Sequence, residues 1–309
     1  MREAPHISIV SPVYKAEAIL ENLVSEIHLA MKLVGKTYEV ILVDDRSPDN
    51  SWDLMTRISA NDPNIKSVRL SRNFGQHPAI MAGLSCASGE WIVVMDCDLQ
   101  DQPKEITKLY HEATNGYDIV LARRKNRKDG FLKKISSKLF SIAYSYLTET
   151  KFDNTIANFG IFNKKVISEV LLMNDYIKSF PLFVNWVGFR STVVDVEHAG
   201  RESGKSSYTF SKLLSLAFNT IISFSDKPLK LFVKFGMIMS LFSFVFGLVT
   251  VYRYFDGEIQ VLGYSSLMVS IWFLSGIIIT TIGIVGIYVG KIFDQSKNRK
   301  PFIIDQILN

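Results

Sequence analysis

The chain has 309 residues, 48% of them hydrophobic and 21% charged, with a formal net charge of +5. That length holds one large domain or two modest ones, and the composition excludes a disordered chain. Two cysteines, Cys86 and Cys97, exclude a disulfide scaffold and offer no metal-binding spacing, so a reducing compartment is expected.

The first residues carry charge, a proline and only a short apolar run, a pattern unlike a signal peptide. Short runs rich in Ile and Val at His6–Val10, Tyr38–Val43, Ile65–Leu70, Trp91–Met95 and Asp118–Leu121 read as strands buried on both faces. Between them, amphipathic spacing predicts helices at Ala16–Val34, at Ser51–Ala60 behind the Asp49-Asn50-Ser51 cap cluster, at Ala79–Cys86, and at Pro103–Thr114 with proline in its first turn. This alternation predicts a doubly wound, mostly parallel α/β sheet, whose ligands bind beyond the carboxyl ends of the strands.

The later part of the chain meets a different solvent. Phe131–Leu147 sets Lys133, Lys134 and Lys138 among apolar residues and reads as an interfacial amphipathic helix. No charged residue occurs from Phe235 to Tyr252 or from Ile259 to Gly290. A bilayer core needs roughly 20 apolar residues, so each run can span, the second with length to spare for tilt. Lys227, Lys230 and Lys234 precede the first run, and Lys291, Lys297, Arg299 and Lys300 follow the second, which orients both ends toward the cytoplasm. Gly276, Gly283, Gly286 and Gly290 suggest close packing between the two helices. The expected organisation is a cytoplasmic α/β domain at 1–225 and a membrane domain at 226–309. The spans fall near 232–253 and 262–290, in a multi-pass inner-membrane protein with both termini cytoplasmic. The basic excess flanks apolar segments, so it points to a lipid bilayer as partner and not to nucleic acid.

Polar clusters gather where the predicted strands end. The first strand runs into Ser11-Pro12-Val13-Tyr14, the second into Asp44-Asp45-Arg46-Ser47-Pro48-Asp49, and the fourth into Asp96-Cys97-Asp98-Leu99-Gln100-Asp101. Two-residue spacing puts Asp96 and Asp98 on one side of the strand end, where like charges raise each other's pKa unless a cation or donor intervenes. Oxygen ligands such as Asp98 and Gln100 suit Mg2+ or Mn2+. Strand alternation turns Cys97 to the opposite face, toward packing.

The ordered set SIVSPVY, VDDRSPDNS, LSRNFGQHPAIMAGL, MDCDLQDQP, RESGKSSY and FSDKPLK, closed by two apolar helices, resembles the family 2 glycosyltransferases of the GT-A fold. More narrowly it is similar to the polyprenyl-phosphate branch, which includes dolichol-phosphate mannose synthase and the bacterial undecaprenyl-phosphate sugar transferases. The resemblance implies a nucleotide-sugar site in which Pro12, Tyr14, Leu42, Asp44, Arg72, Asn73, Asp96 and Cys97 meet the donor. It also implies that Asp98 and Gln100 hold the metal. Asp96, Asp98, Arg124 and Arg201 would carry catalysis by stabilising the departing diphosphate. Arg123, Arg127 and Lys205 are expected near the acceptor phosphate. The implied activity is metal-dependent, inverting sugar transfer to a polyprenyl phosphate, undecaprenyl phosphate if the cell is bacterial. Another lipid or polysaccharide acceptor, a non-catalytic membrane scaffold and a nucleotide-binding sensor are the competing readings, and a homo-oligomer stays open.

The sequence departs from the family's pattern in places. Lys15 and Ala16 follow Tyr14 where relatives carry asparagine and glutamate, the next acid being Glu17. Ala157-Asn158-Phe159-Gly160 lacks the acid and the arginine of the middle loop, with Asp153 upstream as a substitute carboxylate. Ser207 stands where a lysine is common. These positions leave the base and the sugar unassigned.

Overall fold

The computed structural model describes residues 4–124, 156–173, 179–197, 227–256 and 263–309. They divide into two compact units. The first contains β1 (Ile7–Val13), α1 (Leu20–Val34), β2 (Tyr38–Asp44), α2 (Ser51–Asn61), β3 (Ile65–Leu70), α3 (Gln76–Cys86) and β4 (Trp91–Val94). A 3-10 turn at Pro103–Glu105 then leads into α4 (Ile106–Thr114), followed by β5 (Ile119–Arg124), β6 (Ile156–Asn163), α5 (Lys164–Leu172), α6 (Phe180–Trp186) and β7 (Ser191–Val196). The second unit contains α7 (Lys227–Phe255) and α8 (Tyr264–Ser296). The chain then re-enters the first unit at Arg299 and ends in β8 (Ile304–Leu308).

One eight-stranded sheet runs in the order β7-β5-β6-β4-β1-β2-β3-β8. Its pairings are parallel except where β6 lies between β4 and β5 and where β8 borders β3, so only β6 and β8 oppose the common direction. The chain winds from β1 through β2 to β3, then crosses back to β4 on the other side of β1. That reversal makes the carboxyl ends of β1 and β4 a topological switch point, where open α/β sheets bind ligands.

Burial explains the Ile/Val runs. Ile7, Ile9, Val40, Leu42, Val93 and Val120 are fully enclosed between helices on the two faces, as parallel strands require. α3 approaches the sheet tightly at Gly83, which faces β1 and β2; an added Cβ there would overlap Val10 Cγ1 and lie 2.9 Å from Val43 Cγ2. The predicted strands and helices are all present, β3 with its expected bounds and the others with one or both ends shifted. α1 begins at Leu20 instead of Ala16, because residues 14–19 form a loop. β6, β7, β8, α5 and α6 were not read from the sequence.

In the second unit, α7 covers the first uncharged run and α8 covers the second from Tyr264 onward. Their large apolar side chains face outward: Phe246 is 73% exposed and Ile279 70%. Residues of this kind are usually enclosed in a water-soluble core. Among the described residues one helical stretch, Phe273–Ser296, is long and apolar enough to cross a membrane, with mean hydropathy 2.0. The close packing expected at Gly276, Gly283, Gly286 and Gly290 is absent, since an added Cβ would meet nothing within 4 Å at any of them. The expected interfacial helix Phe131–Leu147 lies outside the described residues.

Candidate active site

Three loops converge on the switch-point edge of the sheet: those after β1, β2 and β4. Each contains a non-glycine residue in the left-handed region, Lys15 and Arg46 at φ 55° and Leu99 at φ 56°. Such residues are uncommon and persist where surrounding contacts over-determine the backbone. Those contacts are visible. Lys15 N–H donates to Ser47 Oγ at 3.2 Å and Ala16 N–H to Ser51 Oγ at 3.1 Å. Glu17 N–H reaches Asp49 Oδ2 at 3.4 Å, while the Glu17 carboxylate accepts from both the backbone and side chain of Asn50. The acid displaced to position 17 thus stitches the β1 loop to the start of α2.

Of the expected donor contacts, Tyr14, Arg72 and Asn73 present exposed side chains. The Arg72 guanidinium lies 4.3 Å from the Phe74 ring centroid. Pro12, Leu42 and Asp44 belong to the packed sheet. Asp44 accepts the Ser47 N–H at 2.9 Å and faces Arg69 Nε at 3.5 Å. Burial raises its pKa, the bonds from Ser47 and the charge of Arg69 oppose the rise, and the charge of Asp49 adds to it. Asp44 therefore organises the turn, with its carboxylate enclosed there.

Its neighbour Asp45, missed in the sequence, has the more direct role. It is 3% exposed and accepts Phe74 N–H at 2.7 Å and Gly75 N–H at 2.9 Å. Burial pushes its pKa up, the two N–H bonds pull it back, and the adjacent Asp44 charge raises it further. Gly75 at φ +98° makes the turn into α3 that points both N–H groups at one carboxylate. Gln76, the next residue, donates its side-chain amide to Asp96 Oδ1 at 2.6 Å. One short segment, 71–76, is thus clamped to the β2 loop and grips the acid at the end of β4. An acidic doublet beside a strand end was the available sign for Asp45, and an amide opening a helix the sign for Gln76.

At β4, Asp98 Oδ1 accepts the Gln100 N–H at 3.2 Å, which fixes the carboxylate over its own turn. Cys97 packs against the main core cluster. Burial first, then the charges of Asp96 and Asp98, push its thiol up to about 12 against a pull from the Tyr14 N–H. Cys97 is therefore neutral, and it links the β4 loop to the backbone of the β1 loop at Tyr14. Among the described residues no three His, Cys, Asp or Glu side chains gather as a metal cage. Oxygen donors alone, from Asp96, Asp98 and Gln100, fit a hard divalent cation held by one or two carboxylates, with phosphate oxygens and water as other ligands. His77 lies just beyond Gln76; burial lowers its pKa to about 4, so it is neutral.

On the far side of β4 the sheet brings two more expected regions to the same edge. Arg123, near the end of β5, pairs in register with Asp195 of β7, and its Nε lies 2.6 Å from the Asp195 carboxylate. An acceptor phosphate at Arg123 would have to share it with that acid. Gly160 of β6 pairs with Val94, so Asn158 and Asp96 each lie two residues beyond the same pair, at one end of the sheet. Arg127, Asp153, Arg201, Lys205 and Ser207, and the side chain of Arg124, lie outside the described residues.

Comparison with known proteins gives a consistent result. Residues 8–171 match the family described as "Glycosyl transferase family 2". The chain is 33% identical over 300 residues to "Uncharacterized glycosyltransferase YkcC" of Bacillus subtilis (strain 168), covering 97% of this chain and 93% of the relative. It is also 33% identical over 306 residues to the undecaprenyl-phosphate 4-deoxy-4-formamido-L-arabinose transferase of Yersinia pestis (strain Pestoides F), covering 98% and 93%. Among solved structures, glucosyl-3-phosphoglycerate synthase from Mycobacterium tuberculosis in complex with Mn2+, uridine diphosphate and glucosyl-3-phosphoglycerate aligns with TM-score 0.49 and 16% identity, over 71% of this chain and 78% of that one. With more than half of its length matching the family and both relatives aligned almost end to end, the chain belongs to glycosyl transferase family 2.

Proposed function

We propose that this protein transfers a sugar from a nucleotide-sugar donor to a polyprenyl phosphate at the cytoplasmic face of a membrane, with inversion at the anomeric carbon. The observation that carries the reading is the match, over 98% of the chain, to a relative named for sugar transfer to undecaprenyl phosphate. The acid-bearing edge at the switch point supports it. The donor's leaving group is a nucleoside diphosphate, which gains negative charge as the anomeric bond breaks. Asp98 and Gln100, with Asp96 beside them, would hold a divalent cation, which when bound neutralises that charge. Gln76 keeps Asp96 oriented through its short hydrogen bond. Tyr14 at the β1 edge and Arg72–Asn73 on the clamped loop flank the donor, and Arg124 and Arg201 are assigned to the diphosphate by the family resemblance. The acceptor phosphate monoester has a second pKa of about 6, so it arrives as an anion and needs less help from a general base. In-line attack by that oxygen displaces the diphosphate without a covalent enzyme intermediate.

The apolar unit supplies the acceptor's solvent. A polyprenyl chain is confined to the bilayer, and anchoring the transferase there raises the local concentration of its phosphate. The connectivity supports two crossings: the chain leaves the sheet-bearing unit for α7 and α8 and returns to it at Arg299. A chain that leaves and regains one face of a bilayer makes an even number of crossings, and α7 is the described helix that can pair with a spanning α8.

The test is to incubate membranes containing the full chain with a panel of labelled nucleotide sugars and undecaprenyl phosphate, following label into organic-extractable lipid. Transfer that falls with chelator, returns with Mn2+ or Mg2+, and is lost in Asp98→Ala is the expected result. No lipid-linked product from any donor, or full activity in Asp98→Ala, overturns the reading. The first outcome would leave a scaffold or a nucleotide-binding sensor, and the second would leave a transferase that does not depend on this carboxylate.

A further inference from the structure

The C-terminal strand has no role in the reading so far, yet it reaches the loops that frame the donor. β8 runs antiparallel to β3, with Val68 opposite Ile307 and Leu70 opposite Ile304. It caps an edge that would otherwise expose unpaired backbone groups, and Leu308 packs against the main core cluster. Two contacts go beyond edge protection. Ile303 carbonyl accepts the Ser71 N–H at 2.9 Å, at the start of the 71–76 segment. Asp305 Oδ2 lies 3.1 Å from Arg46 NH1, in the turn that carries Asp45.

These contacts close a ring. The tail holds Ser71 by its backbone and Arg46 by its carboxylate; the Arg46 turn holds Phe74 and Gly75 through Asp45. Arg72 and Asn73 are exposed between the two clamps. Arg46 itself is in the left-handed region, so its turn benefits from an outside restraint. The sequence distance is telling. Asp305 and Arg46 are 259 positions apart, and the whole apolar unit intervenes.

We propose that β8 is a positioning element for the donor site, with Asp305 as a positioning residue that acts through Arg46 on the loops carrying Asp45 and Arg72–Asn73. The proposal rests on those loops flanking the nucleotide sugar, as inferred above. It assigns to the segment after the last apolar helix a share in donor affinity. A passive tail would merely cover an edge.

The experiment uses the full chain in detergent and compares wild type, Asp305→Asn, Arg46→Asp and the charge-swapped Arg46→Asp/Asp305→Arg pair. Amide hydrogen exchange is read at Ser71, Phe74 and Gly75, and donor KM and kcat are read in the lipid-transfer assay. Exposed ion pairs are worth little, so Asp305→Asn should raise donor KM roughly two- to fivefold. Exchange at Phe74 and Gly75 should quicken to a similar degree, with kcat and the KM for undecaprenyl phosphate unchanged. The swapped pair should recover most of both effects. Exchange at 71–75 equal to wild type in Asp305→Asn, or a swapped pair no better than Arg46→Asp alone, overturns the proposal. A chain that transfers no sugar at all would overturn the donor-affinity claim along with the transferase reading. Exchange that quickens in such a chain would still show the mechanical link from tail to loop.

Discussion

Asp45→Ala should loosen the 71–76 segment without dismantling the sheet. Its carboxylate receives two backbone N–H bonds, at 2.7 and 2.9 Å, and removing it leaves both donors unpaired. An orphaned donor costs about 1–3 kcal/mol; Phe74 and Gly75 are half-buried, so water can reach them in part and the lower half of that range applies to each. Against this, the alanine variant no longer buries a charge beside Asp44, and both burial and that neighbour disfavour the ionised form. The net local loss is about 1–3 kcal/mol, or roughly 5- to 150-fold in the opening equilibrium. Amide exchange at Phe74 and Gly75 in the detergent-solubilised full chain measures this directly. Asp45→Asn keeps one acceptor oxygen but turns an amide NH2 toward the second donor, so it should fall between wild type and alanine. Donor KM should rise in the same order, because Arg72 and Asn73 sit on the loosened segment. Exchange in Asp45→Ala within twofold of wild type, or an asparagine variant as open as alanine, would show that the carboxylate does not clamp the loop.

Gln76→Ala removes the 2.6 Å bond to Asp96. A hydrogen bond to a charged group contributes about 1.5–3 kcal/mol, so kcat/KM for sugar transfer should fall by about tenfold or more, with a drop of a few degrees in the thermal midpoint. Gln76→Glu should be worse, since it sets a second negative charge against Asp96. Glu39, at the other end of the sheet, predicts an acid limb of stability. Burial raises its pKa, but hydrogen bonds from the Ser8 hydroxyl, the Ser88 N–H and hydroxyl, and Lys66 outweigh burial and hold it below the ordinary value. A depressed carboxyl stabilises the fold above its unfolded pKa, about 4.3 for glutamate, and that stability is lost as pH falls through the folded value. Glu39→Gln should therefore lower the thermal midpoint at pH 7. The gap to wild type should close as pH drops below about 5; a gap that stays constant down to pH 3 would remove the assignment.

The winding half of the sheet was legible because its strands are buried on both faces, so β1 to β4 appear as Ile/Val runs whatever their neighbours do. β3 matches its expected span, Ile65–Leu70, residue for residue. The other half was not. β6 contains Asn158 and Gly160 among its apolar residues, and Gly160 is there for close approach, since an added Cβ would lie 2.8 Å from the Val120 carbonyl. That requirement appears only once β5 is in place. β7 has the burial alternation of a half-exposed strand and so shows no continuous apolar run. β8 could not be foreseen, because it pairs with a strand more than two hundred residues earlier, and pairing partners leave no local pattern. The same reason separates the site residues that were found from those that were missed. Asp96 and Asp98 are marked by their own spacing at a strand end. Asp45, Gln76 and Asp305 make their contacts with loops distant in sequence, so a doublet or a helix-opening amide marks the first two without naming their partners, and nothing local marks the third.

The three left-handed residues at the active edge say how this fold divides stability from function. Lys15, Arg46 and Leu99 each hold a conformation that glycine or asparagine would adopt at lower cost. Each lies in a loop after β1, β2 or β4, and the other strand ends of the sheet carry no such residue among the described positions. The rest of the unit can tolerate that strain: its strands are fully enclosed, and the loops are tied down by side-chain bonds from Ser47, Ser51, Asp49 and Asp45. Side chains at these positions must then matter for something other than turn geometry. Arg46 needs its guanidinium to meet Asp305. Leu99 is 6% exposed and belongs to the core cluster, so it pins the Asp98 turn from below. Lys15 projects beside the exposed Tyr14 ring, where a cation can meet an anionic donor. The strained backbone therefore marks where the chain gives up local preference to hold charge and shape at one edge, and that edge is where the two acids of β4 stand.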